Sequence, residues 1–173
     1  MLLSLNWLRD LVRFSERPEV LADRLTMTGS EVESIERPGK NLSGVVIARV
    51  TDLSPHPSRE GLRGARVTWK GKEAFCVTGA PNVAVGDLVP YAPPGATLAD
   101  GTALGVRDFD DWRSEGMMLS AEELGQPSVA TDFGILILPE DAPEGEDAAV
   151  WLGLDDVILD VSVTPNREDL LSL

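Results

Sequence analysis

The chain has 173 residues, of which 43% are hydrophobic and 25% charged, so we expect one packed domain or two small ones rather than a disordered chain. Its one cysteine and one histidine exclude a disulfide framework and a Cys/His zinc cage, and a single free thiol is typical of a cytoplasmic protein. The net charge of −14 argues against a general nucleic-acid coat, because phosphate binding requires cations, and no apolar run is long enough to span a membrane.

The first 39 residues predict two helices followed by a strand. Ser4 can cap a helix that runs to Val12, and Pro18 suits the first turn of a second helix that ends at Gly29. Residues 31–37 alternate between apolar and polar side chains, which is typical of a strand. The positions expected on the buried side of the second helix are Val20, Leu21 and Leu25.

From residue 43 to about residue 139, the pattern changes to short strands broken by glycine and proline. The predicted strands are 45–50, 65–69, 73–77, 88–92 and 134–138, the last of them buried. The turn Lys70-Gly71-Lys72 predicts a hairpin, Pro90 predicts an edge strand or a bulge, and residues 120–125 predict a capped helical turn. About five short strands favour a small closed barrel of the OB type over a sandwich, which usually needs about seven.

After Trp151 the pattern changes again. Residues 157–163 alternate as a half-buried strand does, and an amphipathic segment begins at residue 167. Because the sequence stops within that segment, we expect it to be the first part of a longer protein.

Five groups of residues recur in a characteristic order along the chain. They are Leu5-Asn6-Trp7-Leu8 with 25–33, 44–50 with His56-Pro57 and Leu62, Thr78-Gly79-Ala80-Pro81-Asn82-Val83, 114–120 with Glu123-Leu124-Gly125, and 161–169. Their order and spacing over essentially the whole chain resemble the N-terminal region of the bacterial phenylalanine–tRNA ligase β-subunit family.

The resemblance implies an α+β chain in which an OB-fold β-barrel at 40–150 is inserted into a small split α+β domain at 1–39 and 151–173. It implies a non-catalytic region that gives auxiliary tRNA binding while the whole enzyme charges tRNA with phenylalanine. The implied partners are tRNA, the remainder of the β subunit and the α subunit, assembled as a heterotetramer. ATP and magnesium are implied for the whole enzyme, and no cofactor, metal or catalytic residue is implied for this region.

The residues themselves support RNA contact better than catalysis. The chain has no glycine-rich nucleotide-binding motif and no nucleophile motif, and the prolines on both sides of its one histidine predict a loop residue at the barrel rim. A base contact by that imidazole is an alternative. Acidic residues 108–111 predict a solvated turn rather than a calcium site. Basic residues concentrate between 59 and 72, and the candidates for tRNA contact are His56, Arg59, Arg63, Arg66, Trp69, Lys70, Lys72, Asn82 and Ser114.

Two departures from the family pattern bear on that contact. Gly61 stands where relatives often carry lysine, and residues 109–113 are largely acidic where relatives tend to be basic. Both changes predict weaker RNA binding with a flatter salt dependence. Trp69 alternates with Val67 and equally fits a core position. Two other functions remain open: an architectural module of the same enzyme with little RNA contact, and a stand-alone tRNA-binding protein, against which the continuation at 164–167 argues.

Overall fold

A computed structural model describes residues 1–126 and 134–163. The chain forms two compact units, one made of Met1–Pro38 and the chain from Asp155 onwards, the other of Gly39–Leu154. The elements defined within the described residues are β1 (Leu2–Ser4), α1 (Leu5–Leu11), α2 (Pro18–Met27), β2 (Val32–Glu36), β3 (Val46–Pro55), β4 (Arg63–Trp69), β5 (Lys72–Thr78), β6 (Leu88–Ala92), β7 (Val106–Phe109), β8 (Trp112–Glu115), β9 (Met117–Met118), α3 (Ala148–Trp151) and β10 (Ile158–Val161).

The helices of the first unit begin and end at the predicted signals. The Ser4 side chain accepts a hydrogen bond from the Trp7 N–H at 3.0 Å, which caps α1. α1 ends one residue before the predicted Val12, whose N–H bonds Leu8. Pro18 is the first residue of α2, and Gly29 follows the last turn at φ +95°, a conformation that favours glycine. Both predicted helices are therefore confirmed.

The sheet of the first unit has the order β1-β10-β2, with both pairs antiparallel. β2 and β10 confirm the predicted strands, whereas β1 was not predicted because three residues are too few to show alternation. Leu3, Leu5 and Leu159 form the centre of its core. In α2 the fully buried residue is Ala22, and the predicted Leu21 and Leu25 pack beside that core half-buried.

The second unit is built on an antiparallel sheet with the order β5-β4-β3-β6-β9. Lys70 and Gly71, with φ of 44° and 75°, form a two-residue turn between β4 and β5, as type I′ turns require, and this confirms the predicted hairpin. The terminal strands β5 and β9 contact each other, and Cys76 of β5 and Met118 of β9 belong to the same buried cluster. The sheet is therefore barrel-like and nearly closed, as an OB fold would be.

The prediction that Pro90 marks an edge or a bulge is wrong. β6 lies between β3 and β9, and its register with β3 is unbroken. The Pro90 carbonyl accepts a hydrogen bond from Leu119 at 2.9 Å, so the ring nitrogen faces the same side. The Leu119 carbonyl, which would otherwise need a donor from residue 90, accepts the Leu136 N–H at 3.0 Å instead. An interior proline is thus tolerated because another donor replaces it.

The predicted buried strand at 134–138 is also wrong. The segment has no strand pairing beyond an isolated bridge between Leu138 and Leu88, and Ile137 is exposed. Its backbone bonds go to two different places, from Leu136 to Leu119 and from Leu138 to Leu88, so no continuous ladder forms. The capped turn at 120–125 is confirmed, since Ser120 and Glu123 bond each other reciprocally.

The first half of β3 and the whole of β6 are buried on both faces. Ile47 and Leu88 belong to one core cluster, whereas Val50 and Tyr91 belong to the other. Since successive strand residues point to opposite faces, the two clusters lie on the two sides of these strands. The outer surface of the β4–β5 hairpin carries polar side chains, and the β7–β8 hairpin packs against it.

Candidate nucleic-acid interface

The β7–β8 hairpin contacts the loop at 56–62 through His56 and Arg59. It was not predicted as a hairpin, although its two-residue turn, Asp110-Asp111, lies within the acidic stretch predicted as a solvated turn, and both residues are exposed. Ser114 on β8 accepts the Val77 N–H at 3.0 Å, so this hairpin covers the outer edge of β5. Trp112 packs edge-on against Phe75 with ring centroids 5.2 Å apart.

His56 joins the loop to this hairpin. Its Nδ1 accepts hydrogen bonds from the backbone N–H groups of Ser58 and Arg59, both at 3.2 Å. That assignment leaves Nε2 as the donor to the Phe109 carbonyl at 3.3 Å. The residue is 7% exposed, and the centroid of its ring lies 4.5 Å from that of Trp112. His56 therefore holds the loop in place, and its contact with RNA stays a prediction.

Arg59 and Asp110 meet across the gap between the loop and the hairpin turn. Arg59 Nε and Nη2 donate to the two carboxylate oxygens at 2.6 and 2.9 Å. Hydrogen bonding to Arg59 lowers the pKa of Asp110, and the same bonds raise the pKa of Arg59. Among the ion pairs of the described residues, this one alone uses both carboxylate oxygens.

Two further candidate cations are paired with carboxylates. Arg66 Nη1 lies 2.6 Å from Glu73 on the neighbouring strand. Lys70 Nζ lies 3.0 Å from Glu146. All four side chains are more than half exposed, so solvent screens both pairs. A carboxylate neutralises each of these cations, and a stronger anion could displace that carboxylate.

Other cations of the second unit have no such partner. Lys72, Arg107 and Arg113 are exposed, and none of them takes part in an ion pair within residues 1–126 and 134–163. Lys72 was a sequence candidate, whereas the two arginines of the β7–β8 hairpin were missed. No apolar–polar alternation marks 106–109 or 112–115, so the sequence offered no strand signal there, and the acidic composition of 108–111 indicated only a turn.

Arg63 and Asn82 hold backbone groups. Arg63 Nη1 donates to the Val83 carbonyl at 3.1 Å, and Nη2 donates to the Ala80 carbonyl. The Asn82 amide donates to the Ile135 carbonyl at 2.8 Å and accepts the Ile135 N–H at 3.1 Å. Both side chains thereby fix loops beside the sheet, and their predicted contacts with tRNA remain predictions.

Trp69 and Ser114 are buried, at 8% and 3% exposure. The Trp69 ring lies 5.1 Å from the Tyr91 ring in the barrel interior, which fits the core reading. The Ser114 hydroxyl donates to the Gly116 carbonyl at 3.0 Å while it accepts from Val77. In the same interior, burial raises the pKa of the Cys76 thiol to about 12, so that thiol is not a nucleophile.

Comparisons with known proteins show which proteins this chain is similar to. Residues 45–147 match the family described as "Putative tRNA binding domain". The chain is 42% identical over its full length to the phenylalanine–tRNA ligase β subunit of Syntrophus aciditrophicus (strain SB), and 45% identical over 99% of its length to that of Anaeromyxobacter dehalogenans (strain 2CP-C). It is 44% identical over its full length to that of Trichormus variabilis. The chain spans about a fifth of these relatives, covering 21%, 21% and 22% of their lengths. No helix within the described ranges is both long and apolar enough to cross a membrane.

Proposed function

Because the chain belongs to the tRNA-binding domain family, we propose that its second unit gives auxiliary tRNA binding within a phenylalanine–tRNA ligase β subunit. The observation that carries the proposal is the family match at 45–147, which falls on the nearly closed sheet and the β7–β8 hairpin. Phosphate contact by exposed cations on that surface would supply affinity without sequence readout.

The proposed architecture is an OB-fold barrel at 40–150 inserted into a split α+β domain at 1–39 and 151–173. The division of the chain into compact units at 38/39 and 154/155 supports it. The final residues of that split domain, 164–173, lie outside the described residues.

The proposed enzyme is an ATP- and magnesium-dependent ligase that charges tRNA with phenylalanine. Its other proposed components are the remainder of the β subunit and the α subunit, in a heterotetramer that works in the cytoplasm. The support is the identity to curated β subunits over the whole chain. This chain would then hold tRNA while the chemistry occurs elsewhere in the enzyme.

A fluorescence-anisotropy titration of the chain with deacylated phenylalanine tRNA at low salt tests the proposal. The test variant replaces Lys72, Arg107 and Arg113 with glutamine, because these exposed cations take part in no ion pair within the described residues. The matched control replaces the exposed Arg9, Arg13 and Arg17 of the first unit with glutamine, so that the same charge is lost. We expect the test variant to bind at least about tenfold more weakly than the control, because phosphate contacts are lost only there.

Equal weakening by the two variants would reject the cationic surface as the binding site. Absence of binding by the unmodified chain, together with normal assembly of the whole enzyme, would favour the architectural alternative. The observation that favours the architectural alternative is the pairing of Arg59, Arg66 and Lys70 with carboxylates, which leaves fewer cations for RNA.

A further inference from the structure

The carboxylate of Asp110 occupies the hydrogen-bonding edge of the Arg59 guanidinium. A guanidinium binds carboxylate and phosphate with the same geometry, through two parallel N–H donors. Arg59 presents Nε and Nη2 in this way, and both oxygens of Asp110 fill the fork. The arrangement therefore has the form of a phosphate site that is filled by a side chain of the same protein.

Contacts of His56 hold the backbones of Arg59 and Asp110 beside each other. His56 accepts the backbone N–H of Arg59 and contacts the Phe109 carbonyl, the residue directly before Asp110. Trp112, directly after the turn, packs against the His56 ring. Because these contacts fix both backbones, an incoming phosphate needs to displace only the carboxylate side chain.

The pair is weak enough to be displaced. Both side chains are close to half exposed, so solvent and salt screen their attraction. On the basis of the tRNA-binding function proposed above, we infer that Arg59 is a phosphate-binding residue for structured RNA and that Asp110 is its internal competitor. Asp110 thereby lowers the affinity of this surface for RNA.

The test compares Asp110→Asn with Asp111→Asn, alone and in an Arg59→Gln background. Asp111 is the neighbouring exposed carboxylate, and no ion pair involves it within the described residues. Asparagine tolerates the φ of +52° at position 110, so the turn is retained. Urea denaturation of every variant checks that folding is unchanged.

We expect Asp110→Asn to bind tRNA about two- to fivefold more tightly than the unmodified chain, the range set by an exposed ion pair. The slope of log K against log salt should steepen by about 0.7–0.9, as one added phosphate contact requires. Asp111→Asn should gain less, and the excess gain of Asp110→Asn should vanish with Arg59→Gln. Equal gains from the two asparagine variants, or a gain that survives in Arg59→Gln, would overturn the inference.

A second probe separates this inference from the proposed function. Inorganic polyphosphate is titrated while the NMR signal of the Arg59 Nε–H is followed. If polyphosphate shifts that signal more strongly in Asp110→Asn than in the unmodified chain but tRNA does not bind, the phosphate site stands and the tRNA function fails. If tRNA binds all variants equally, the tRNA function stands and the internal competitor is rejected. If neither probe perturbs Arg59 in Asp110→Asn, the phosphate site itself is rejected.

Discussion

Gly64 on β4 leaves the space into which two aromatic rings pack. A Cβ at this position would lie less than 3.0 Å from atoms of Phe75 and Trp112. Those rings connect the β4–β5 hairpin to the β7–β8 hairpin, and Trp112 in turn contacts His56. The absence of a side chain at Gly64 is therefore what lets the β7–β8 hairpin approach the loop at 56–62.

We predict that Gly64→Ala destabilises the protein by about 1–3 kcal/mol, because an added methyl group in a packed site forces the rings to move. The measurement is the urea midpoint of unfolding, followed by tryptophan fluorescence. Gly105→Ala is the matched control, since nothing lies within 4 Å of a Cβ there and its φ is not positive. A Gly64→Ala midpoint equal to that of the control would contradict the packing role.

Residue types were enough to locate the segment rich in basic residues, 59–72, but did not show which of its cations form ion pairs. The sequence placed Arg59 and Asp110 in two separate loops, and only the tertiary fold brings them within 2.6 Å. The same holds for His56 and Ser114, whose burial depends on a hairpin that the sequence did not reveal. The burial of Trp69 could be predicted from the sequence, because its alternation with Val67 already indicated a core position.

At the scale of elements, the sequence predicted correctly those features whose backbone hydrogen bonds are made by residues close in the chain. The caps at Ser4 and Gly29 and the turn at Lys70-Gly71 depend on neighbouring residues, and all three lie where they were predicted. Pro90 and 134–138 failed because their hydrogen-bond partners come from distant segments. Short elements such as β9 and α3 were missed because two to four residues carry too little periodicity.

The turn at 120–125 is a self-contained element that can be tested. Ser120 and Glu123 form a capping box in which the Ser120 N–H reaches the Glu123 carboxylate at 2.7 Å and the Glu123 N–H reaches the Ser120 hydroxyl at 3.3 Å. Leu119 and Leu124, the two positions of a hydrophobic staple, are both fully buried in one core cluster. The cap therefore fixes two core side chains as well as the turn.

We predict that Ser120→Ala lowers the free energy of unfolding by about 1 kcal/mol. The Ser120 hydroxyl donates to the Glu123 carboxylate at 2.9 Å and accepts the Glu123 N–H at 3.3 Å, and alanine loses both bonds. Equilibrium urea denaturation measures the change. Glu122→Gln, at an exposed neighbour outside the capping box, should shift stability by less than about 0.5 kcal/mol. A Ser120→Ala effect no larger than this control would show that the core leucines hold the turn without the cap.

At the scale of the whole molecule, the net charge of −14 governs how RNA can approach. Salt screens the repulsion between the acidic body and a polyanion beyond the Debye length, so close contact depends on the few local cations. Composition alone argued against RNA binding, whereas the order of motifs along the chain indicated it. The match at 45–147 to the tRNA-binding family supports the second reading, and the ion pairs explain how both observations hold in one molecule.

The salt dependence of tRNA binding reports how many cations of this surface reach phosphate. If only Lys72, Arg107 and Arg113 do so, the slope of log K against log salt is about −2 to −3, at 0.7–0.9 per contact. Neutralising the partner carboxylates with Asp110→Asn, Glu73→Gln and Glu146→Gln frees three more cations. We predict a slope of about −4 to −5 for that triple variant.

The matched control for this last prediction neutralises three exposed carboxylates of the first unit, Asp10, Asp23 and Glu33, which form no ion pair within the described residues. Both triple variants raise the net charge by three, so any general field effect is the same. Only the partner variant should steepen the slope, because only there does a cation gain a phosphate. Equal slopes in the two variants would mean that net charge, and not the release of individual cations from their carboxylates, limits the binding of RNA to this protein.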